Sequence, residues 1–194
     1  PMVYDLIPTA GYFVGVNPEM DCLALAASDF SGNLITEKTR VPYVYENTPE
    51  NLEKVGKIIN DFIASLPVSK EEILQVCVNV AERVNPVQGN AYNMYTFLKE
   101  SLTDKLTELI QLPVCIENDS RSMAFAEFVK GRCRGLKDVI FVNVCWGLGI
   151  GIIMGGQLYY GKSGYSGEFG HMTAYNNNII CHCGKIGCIE TEVS

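Results

Sequence analysis

Short apolar runs alternate with polar turns through the first third of the chain, and the spacing then lengthens to a helical period. Residues 12–16, Tyr-Phe-Val-Gly-Val, predict a buried strand, with further strands over 21–28 and 33–45. Ser31-Gly32-Asn33 is the expected hairpin turn between the latter two. A helix follows, with Thr48 as N-cap and Pro49 at its first position. Leu52, Val55, Ile58, Ile59, Phe62, Ile63 and Leu66 recur on one face, and Pro67 ends the element. Residues 73–80 read as a strand, followed by a turn near Pro86 and Gly89. A helix through Leu102, Leu106 and Leu109 leads to a short strand at 113–116, and a further helix covers 123–129. Strands are expected at 139–145, 151–154 and 157–160, the last two joined by Gly155-Gly156. Three strands, then helices and strands in alternation, predict an α/β fold with a mixed sheet.

Hydrophobic residues make up 47% of the 194 positions, enough for a packed core. The formal net charge of -7 argues against a broad polyanion-binding surface. No apolar run reaches the ~18–20 residues of a membrane span, so no membrane partner is expected. Pro1-Met2-Val3-Tyr4-Asp5 carries no secretion-signal pattern, which places the chain in the cytoplasm by expectation.

Five of the eight cysteines, Cys22, Cys77, Cys115, Cys133 and Cys145, are scattered. The other three cluster in Cys181-His-Cys183-Gly-Lys-Ile-Gly-Cys188, ten residues after His171. In a cytosolic chain such a cluster reads as metal or redox chemistry before disulfide. His171, Cys181, Cys183 and Cys188 make a four-ligand tetrahedral set for structural zinc, with Gly184 and Gly187 allowing the turns. The bland alternative is a glycine-rich loop that happens to contain cysteines. His182 is expected to point away from the metal.

Two acidic motifs stand out. Glu117-Asn118-Asp119-Ser120 lies at a strand-to-helix junction, where a helix cap would also explain it. Gly167-Glu168-Phe169-Gly170-His171 precedes the cysteines and could be an exposed turn, and Glu190 follows them. Carboxylates and an amide held rigidly together suit a polyhydroxylated ligand. Eleven of the 18 glycines fall from Gly147 onward, so that segment needs unusual backbone angles or a close approach. Within it, Gly147-Leu148-Gly149-Ile150-Gly151 fits a phosphate cradle, and equally a tight hairpin that binds nothing.

Taken together, Gly161-x2-Gly164-Tyr165-x-Gly167-Glu168-x-Gly170-His171, the cysteine cluster ending in Glu190, and Glu117-Asn118-Asp119 resemble the ROK family of repressors and sugar kinases. The resemblance covers nearly the whole chain. It implies an actin-like, ribonuclease-H-like fold of two lobes, residues 1–118 forming the first and 119–194 beginning an incomplete second. It implies sugar contacts from Asn118, Asp119, Glu168, His171 and Glu190, and zinc on His171, Cys181, Cys183 and Cys188. In the family's kinases the residue matching Asp119 is the general base.

The departures fall on the ATP side. The kinases' Asp-x-Gly-Gly-Thr is matched here by Asn17-Pro18-Glu19-Met20-Asp21, which loses a carboxylate and puts bulk and negative charge where phosphates would lie. Leu148 replaces a threonine, and Ala81-Glu82 replaces an expected Pro-Gly. Intact sugar motifs beside altered phosphate motifs match the family's regulators. The expectation is a sugar-sensing effector domain that binds a sugar or sugar phosphate without phosphorylating it, in a homo-oligomer. DNA would be reached only through a helix-turn-helix outside this chain. The alternatives are an ATP-dependent sugar kinase with a divergent phosphate loop, and a zinc-stapled interaction module with a dead cleft.

Overall fold

The computed structural model describes residues 5–194; residues 1–4, read above for a targeting signal, lie outside them. The chain divides into two compact units, one running through Glu117 and the other starting at Asn118.

The first unit is built on a five-stranded sheet. Its strands are β1 (Tyr12–Pro18), β2 (Cys22–Asp29), β3 (Leu34–Pro42), β4 (Ile73–Val80) and, after the two-residue β5 (Val84–Asn85) and β6 (Asn90–Ala91), β7 (Val114–Asn118). The order is β3-β2-β1-β4-β7. β1, β2 and β3 form an antiparallel meander, whereas β1 and β4 are parallel, so the sheet is mixed. The expected turn joins β2 to β3: Asp29 Oδ1 accepts from the backbone N–H of Ser31 and of Asn33, and Gly32 takes φ +75°. β3 stops at Pro42 rather than Tyr45. Pro42 brings no N–H to the ladder, and Tyr43 turns into the core at 3% exposure.

α1 (Pro49–Ala64) starts as the sequence dictates, with the Thr48 hydroxyl accepting from Asn51 N–H at 3.2 Å. Its periodic face buries Leu52, Val55, Ile59, Phe62 and Ile63 against Val14, Val16, Leu25 and Val76 of the core. α2 (Leu102–Ile110) is capped by Ser101 and buries Leu102, Leu106 and Ile110. Gly56 lets the two helices close up, since a Cβ there would lie 3.1 Å from Leu109 Cβ.

One buried polar cluster interrupts this core. Asn51 Oδ1 accepts from the hydroxyls of Tyr43 and Tyr95, each at 2.9 Å, and Asn51 Nδ2 donates to Val44 O at 2.8 Å. Desolvation pushes both phenol pKa values up, so both hydroxyls stay protonated and able to donate. The two hydroxyls lie 3.0 Å apart and can pair with each other, so Asn51→Ala leaves one of them and the Val44 carbonyl without a partner and should cost about 1–3 kcal/mol. Urea unfolding checks this; a loss under about 0.5 kcal/mol would contradict the network's role.

The second unit opens with α3 (Asp119–Val129), followed by the antiparallel sheet of β8 (Val139–Val144), β9 (Leu148–Met154) and β10 (Gln157–Leu158), ordered β10-β9-β8. α3 begins four residues earlier than its apolar pattern suggests. The Asn118 side chain accepts from Arg121 N–H at 3.1 Å and caps the helix directly at the strand's end. α3 packs on one face of β8 and β9. Phe141 and Asn143 share that face, while Ile140, Val142 and Val144 of β8 alternate onto the other and remain exposed. A 3-10 turn (Glu168–His171) and the short α4 (Glu190–Val193) complete the unit.

Candidate functional site

Every candidate site residue lies from Asn118 onward, in the second unit. The glycine-rich run proves to be the turn into β9 and β9 itself, longer than the expected strand at 151–154. Its glycines have a packing reason. A Cβ on Gly149 would collide with the Ser120 side chain, and one on Gly151 with Ala124 Cβ and the Ser120 carbonyl. On Gly147 it would lie 3.0 Å from Glu190 Oε2. These positions therefore bring α3 and Glu190 onto one hairpin, two residues or ~7 Å apart. Gly167 and Gly170 do the same from the other segment: a Cβ on either would strike the backbone of Ile150 or Leu148. The Gly167-to-His171 motif is thus docked along β9, with Ile150 N–H bonded to Gly167 O, rather than forming a free turn.

Asp119 opens α3. Its Oδ1 accepts from Ser120 N–H at 2.7 Å and from the Ser120 hydroxyl at 3.3 Å. Asn143 of β8 donates to that same hydroxyl at 3.2 Å. Burial raises the Asp119 pKa, against the opposing pull of the Ser120 hydrogen bonds and Arg121. A raised carboxyl pKa favours folding at low pH, and that contribution is lost as pH rises through the folded-state value. At neutral pH the ionised group therefore costs stability. Asp119→Asn keeps an acceptor for Ser120 and should stabilise the protein at pH 7 by about 0.5–1 kcal/mol, seen as a higher melting temperature. The gain should fade below the carboxylate range. A pH series of melting curves checks both; destabilisation at pH 7 would contradict the sign.

No motif or periodicity in the sequence singles out Arg121, yet it is 2% exposed. It donates to Gly164 O and lies 5.2 Å from the Tyr160 ring centroid, tying α3 to the loop before Glu168. Helical periodicity alone does not distinguish a buried arginine from a solvated one. Its only sequence signal is its place directly after Glu-Asn-Asp-Ser.

The cysteine cluster is held by local turns. Cys181 N–H bonds to Lys185 O and Gly184 N–H to Cys181 O, each at 2.8 Å, with Gly184 at φ +85°. Gly187, at φ +77°, passes so close to Tyr175 O that no side chain fits. His171, Cys181, Cys183 and Cys188 then offer four donor atoms all within 4.8 Å of one another. The Cys181 Sγ–His171 Nδ1 separation is 3.5 Å and Cys183 Sγ–Cys188 Sγ is 3.7 Å. Tetrahedral Zn–S bonds of about 2.3 Å require S···S edges near ~3.8 Å, so the donor set fits such an ion. Burial pushes the Cys181 thiol up to about 12. A bound cation would offset that cost by stabilising the thiolate forms. The cluster can hold a metal ion.

Around it lie the carboxylates. His171 Nε2 faces Glu168 Oε2 at 3.9 Å, the side opposite its Nδ1 donor. Glu190, 7% exposed, accepts from Leu148 N–H at 2.9 Å through Oε2. Its Oε1 lies 3.0 Å from His182 Nδ1. His182 therefore does not turn away, as its place between two cysteines suggested. The Cys181–Lys185 turn aims it at Glu190, and with His171 and Glu190 it forms a second group of close donors. Glu168, His171 and Glu190 are brought together with the cysteines; Asn118 and Asp119 stand at the head of α3, beside the same hairpin.

A mixed sheet ordered β3-β2-β1-β4-β7, followed by a helix, a second sheet and a loop that gathers one histidine and three cysteines, is the actin-like fold shared by ROK sugar kinases and regulators. A glucokinase from Streptomyces griseus, solved with glucose and AMPPNP, superposes with a TM-score of 0.77 at 28% identity, over 93% of this chain and 56% of that one. The family model for the ROK family matches residues 15–194, and the chain belongs to that family. The xylose repressor of Bacillus subtilis (strain 168) is 30% identical over 196 residues, covering 100% of this chain and 50% of the repressor. The glucokinase of Streptomyces coelicolor is 31% identical over 186 residues, covering 95% of this chain and 56% of the enzyme. The chain thus spans about half the length of these relatives, which include both repressors and kinases.

Proposed function

We propose that this chain is the sugar-sensing part of a ROK-type transcriptional regulator of the cytoplasm, working as a homo-oligomer. It binds a monosaccharide or sugar phosphate and does not phosphorylate it. Asn118, Asp119, Glu168, His171 and Glu190 take the sugar hydroxyls, the carboxylates as acceptors. Zinc on His171, Cys181, Cys183 and Cys188 supplies a cross-link with no open coordination position. It fixes His171, and through the loop backbone it supports Glu190. Sugar binding then biases one of two states with different affinity for DNA, which a helix-turn-helix elsewhere in the protein contacts.

The observation that carries this reading is the chemistry of the β1–β2 turn. Asn17 Oδ1 accepts from Asn79 Nδ2 at 3.0 Å, so an amide bound to the neighbouring strand stands where the kinases have a carboxylate. Glu19 accepts from the Cys22 thiol at 3.3 Å, and Met20 is exposed beside it. A triphosphate there meets a carboxylate in place of glycine N–H groups. In the second unit Leu148, at the kinases' threonine position, is buried and offers no hydroxyl.

The kinase alternative draws on the glucokinase relatives and on the raised pKa of Asp119, which suits a general base. The names of the relatives make D-xylose and D-glucose the first sugars to test. Calorimetry on the full-length protein should show sugar binding without ATP binding. ATP-dependent phosphorylation of either sugar, abolished by Asp119→Asn, would establish the kinase instead.

A further inference from the structure

We propose that His182 is a positioning residue that holds the Glu190 carboxylate in place for its ligand. The inference rests on the sugar-binding reading of Glu190 given above.

Glu190 is buried, and a buried carboxylate needs donors on both oxygens. Oε2 has the Leu148 backbone N–H. Three atoms approach Oε1: His182 Nδ1 at 3.0 Å, Cys181 Sγ at 3.6 Å and His171 Nδ1 at 3.9 Å. The last two belong to the metal donor set. Once they ligate an ion, the thiol has lost its proton and Nδ1 has committed its lone pair, so neither can donate. His182 is the remaining donor to Oε1 and also the nearest.

The side chain is well placed for the task. Its backbone sits between Cys181 and Cys183, so metal binding anchors it on both sides. Its ring packs edge-on against His171, centroids 4.9 Å apart at 77°. A carboxylate oxygen only accepts, so Nδ1 carries the proton. Held by β9 on one oxygen and by the cysteine loop on the other, the carboxylate has a fixed plane. Each oxygen keeps lone-pair capacity for a sugar hydroxyl. The remaining ring edge is open, the side chain being 59% exposed, so the ring is not there to fill a core.

The test uses the full-length, zinc-loaded protein with D-xylose and D-glucose. His182→Ala should weaken binding of the recognised sugar about tenfold, the scale of one hydrogen bond to a charged group. His182→Asn, whose amide N–H can take the place of Nδ1–H, should restore affinity to within about threefold. Zinc content should stay unchanged in both. Long-range proton–nitrogen NMR spectra should show the His182 proton on Nδ1. Unchanged affinity in His182→Ala overturns the proposal, as does a proton found only on Nε2. Zinc loss in His182→Ala overturns it too, by making His182 a metal ligand. If the unsubstituted protein binds neither sugar, the sugar-binding reading fails first, and this inference with it.

Discussion

Cys183→Ser should lower the melting temperature by ~10 °C or more and release the bound metal. Cys183 and Cys188 stand 3.7 Å apart across the Gly184–Gly187 turns, in a loop otherwise tied by two isolated bridges, Thr173–Cys188 and Ile180–Ile186, and by short backbone hydrogen bonds such as Ala174 N–H to Gly187 O and Ile189 N–H to Met172 O. The segment from 159 to 189 contains almost no regular structure. Ligation of a metal by the four donors would add folding free energy to these contacts. A loss of ~3–4 kcal/mol, modest beside the binding energy of a structural zinc, gives that shift in a chain of this size. A chelator should reproduce it in the unsubstituted protein and add nothing to the variant. The effect should extend beyond the loop, because His171 leads into the docked Gly167–Gly170 strip and Glu190 pins Leu148. Calorimetry with metal analysis decides it. An unchanged melting temperature at unchanged metal content would rule out a stapling role.

Gly151→Val should destabilise the protein by about 3 kcal/mol or more with no ligand present. The new Cβ would meet Ala124 Cβ and the Ser120 carbonyl, and α3 backbone cannot step aside as a flexible side chain could. The result separates two accounts of the glycine-rich run. If the run exists to cradle phosphate, the substitution harms nucleotide binding and leaves the apo protein stable. If it exists to let α3 lie on β9, the apo protein itself loses stability. Gly15→Ala is the control, since nothing lies within 4 Å of a Cβ there and its stability should change by under about 0.5 kcal/mol. Denaturant unfolding of both variants without ligand reads the difference.

Much of the architecture was legible because local signals agreed with one another. Thr48, Pro49 and the apolar stripe to Leu66 specify α1 from its cap to its end. The Ser31-Gly32-Asn33 turn set the β2–β3 hairpin, with Asp29 completing it through hydrogen bonds the sequence did not announce. The reading was weaker where a boundary depends on side-chain geometry. α3 starts at Asp119 because Asn118 caps it, although its apolar residues begin later. β9 reaches back to Leu148 because paired strands tolerate glycine where a helix packs above them. The clustering of His171 with Cys181, Cys183 and Cys188 was legible from spacing, since the three cysteines lie close in sequence around glycine turns.

The residue types by themselves determined the chemistry available: thiolates and an imidazole for a metal, carboxylates for hydroxyl donors, and a β1–β2 turn with no glycine for a phosphate. These are properties of side chains, carried wherever the chain places them. Only the tertiary structure decided how they are used. It gave Gly149 and Gly151 to helix packing, buried Arg121 under Tyr160, and turned His182 onto Glu190. Those outcomes depend on which backbone lies within a few ångströms of another: Ser120 meets Gly149, and His182 meets Glu190, only when α3, the hairpin and the cysteine loop have packed.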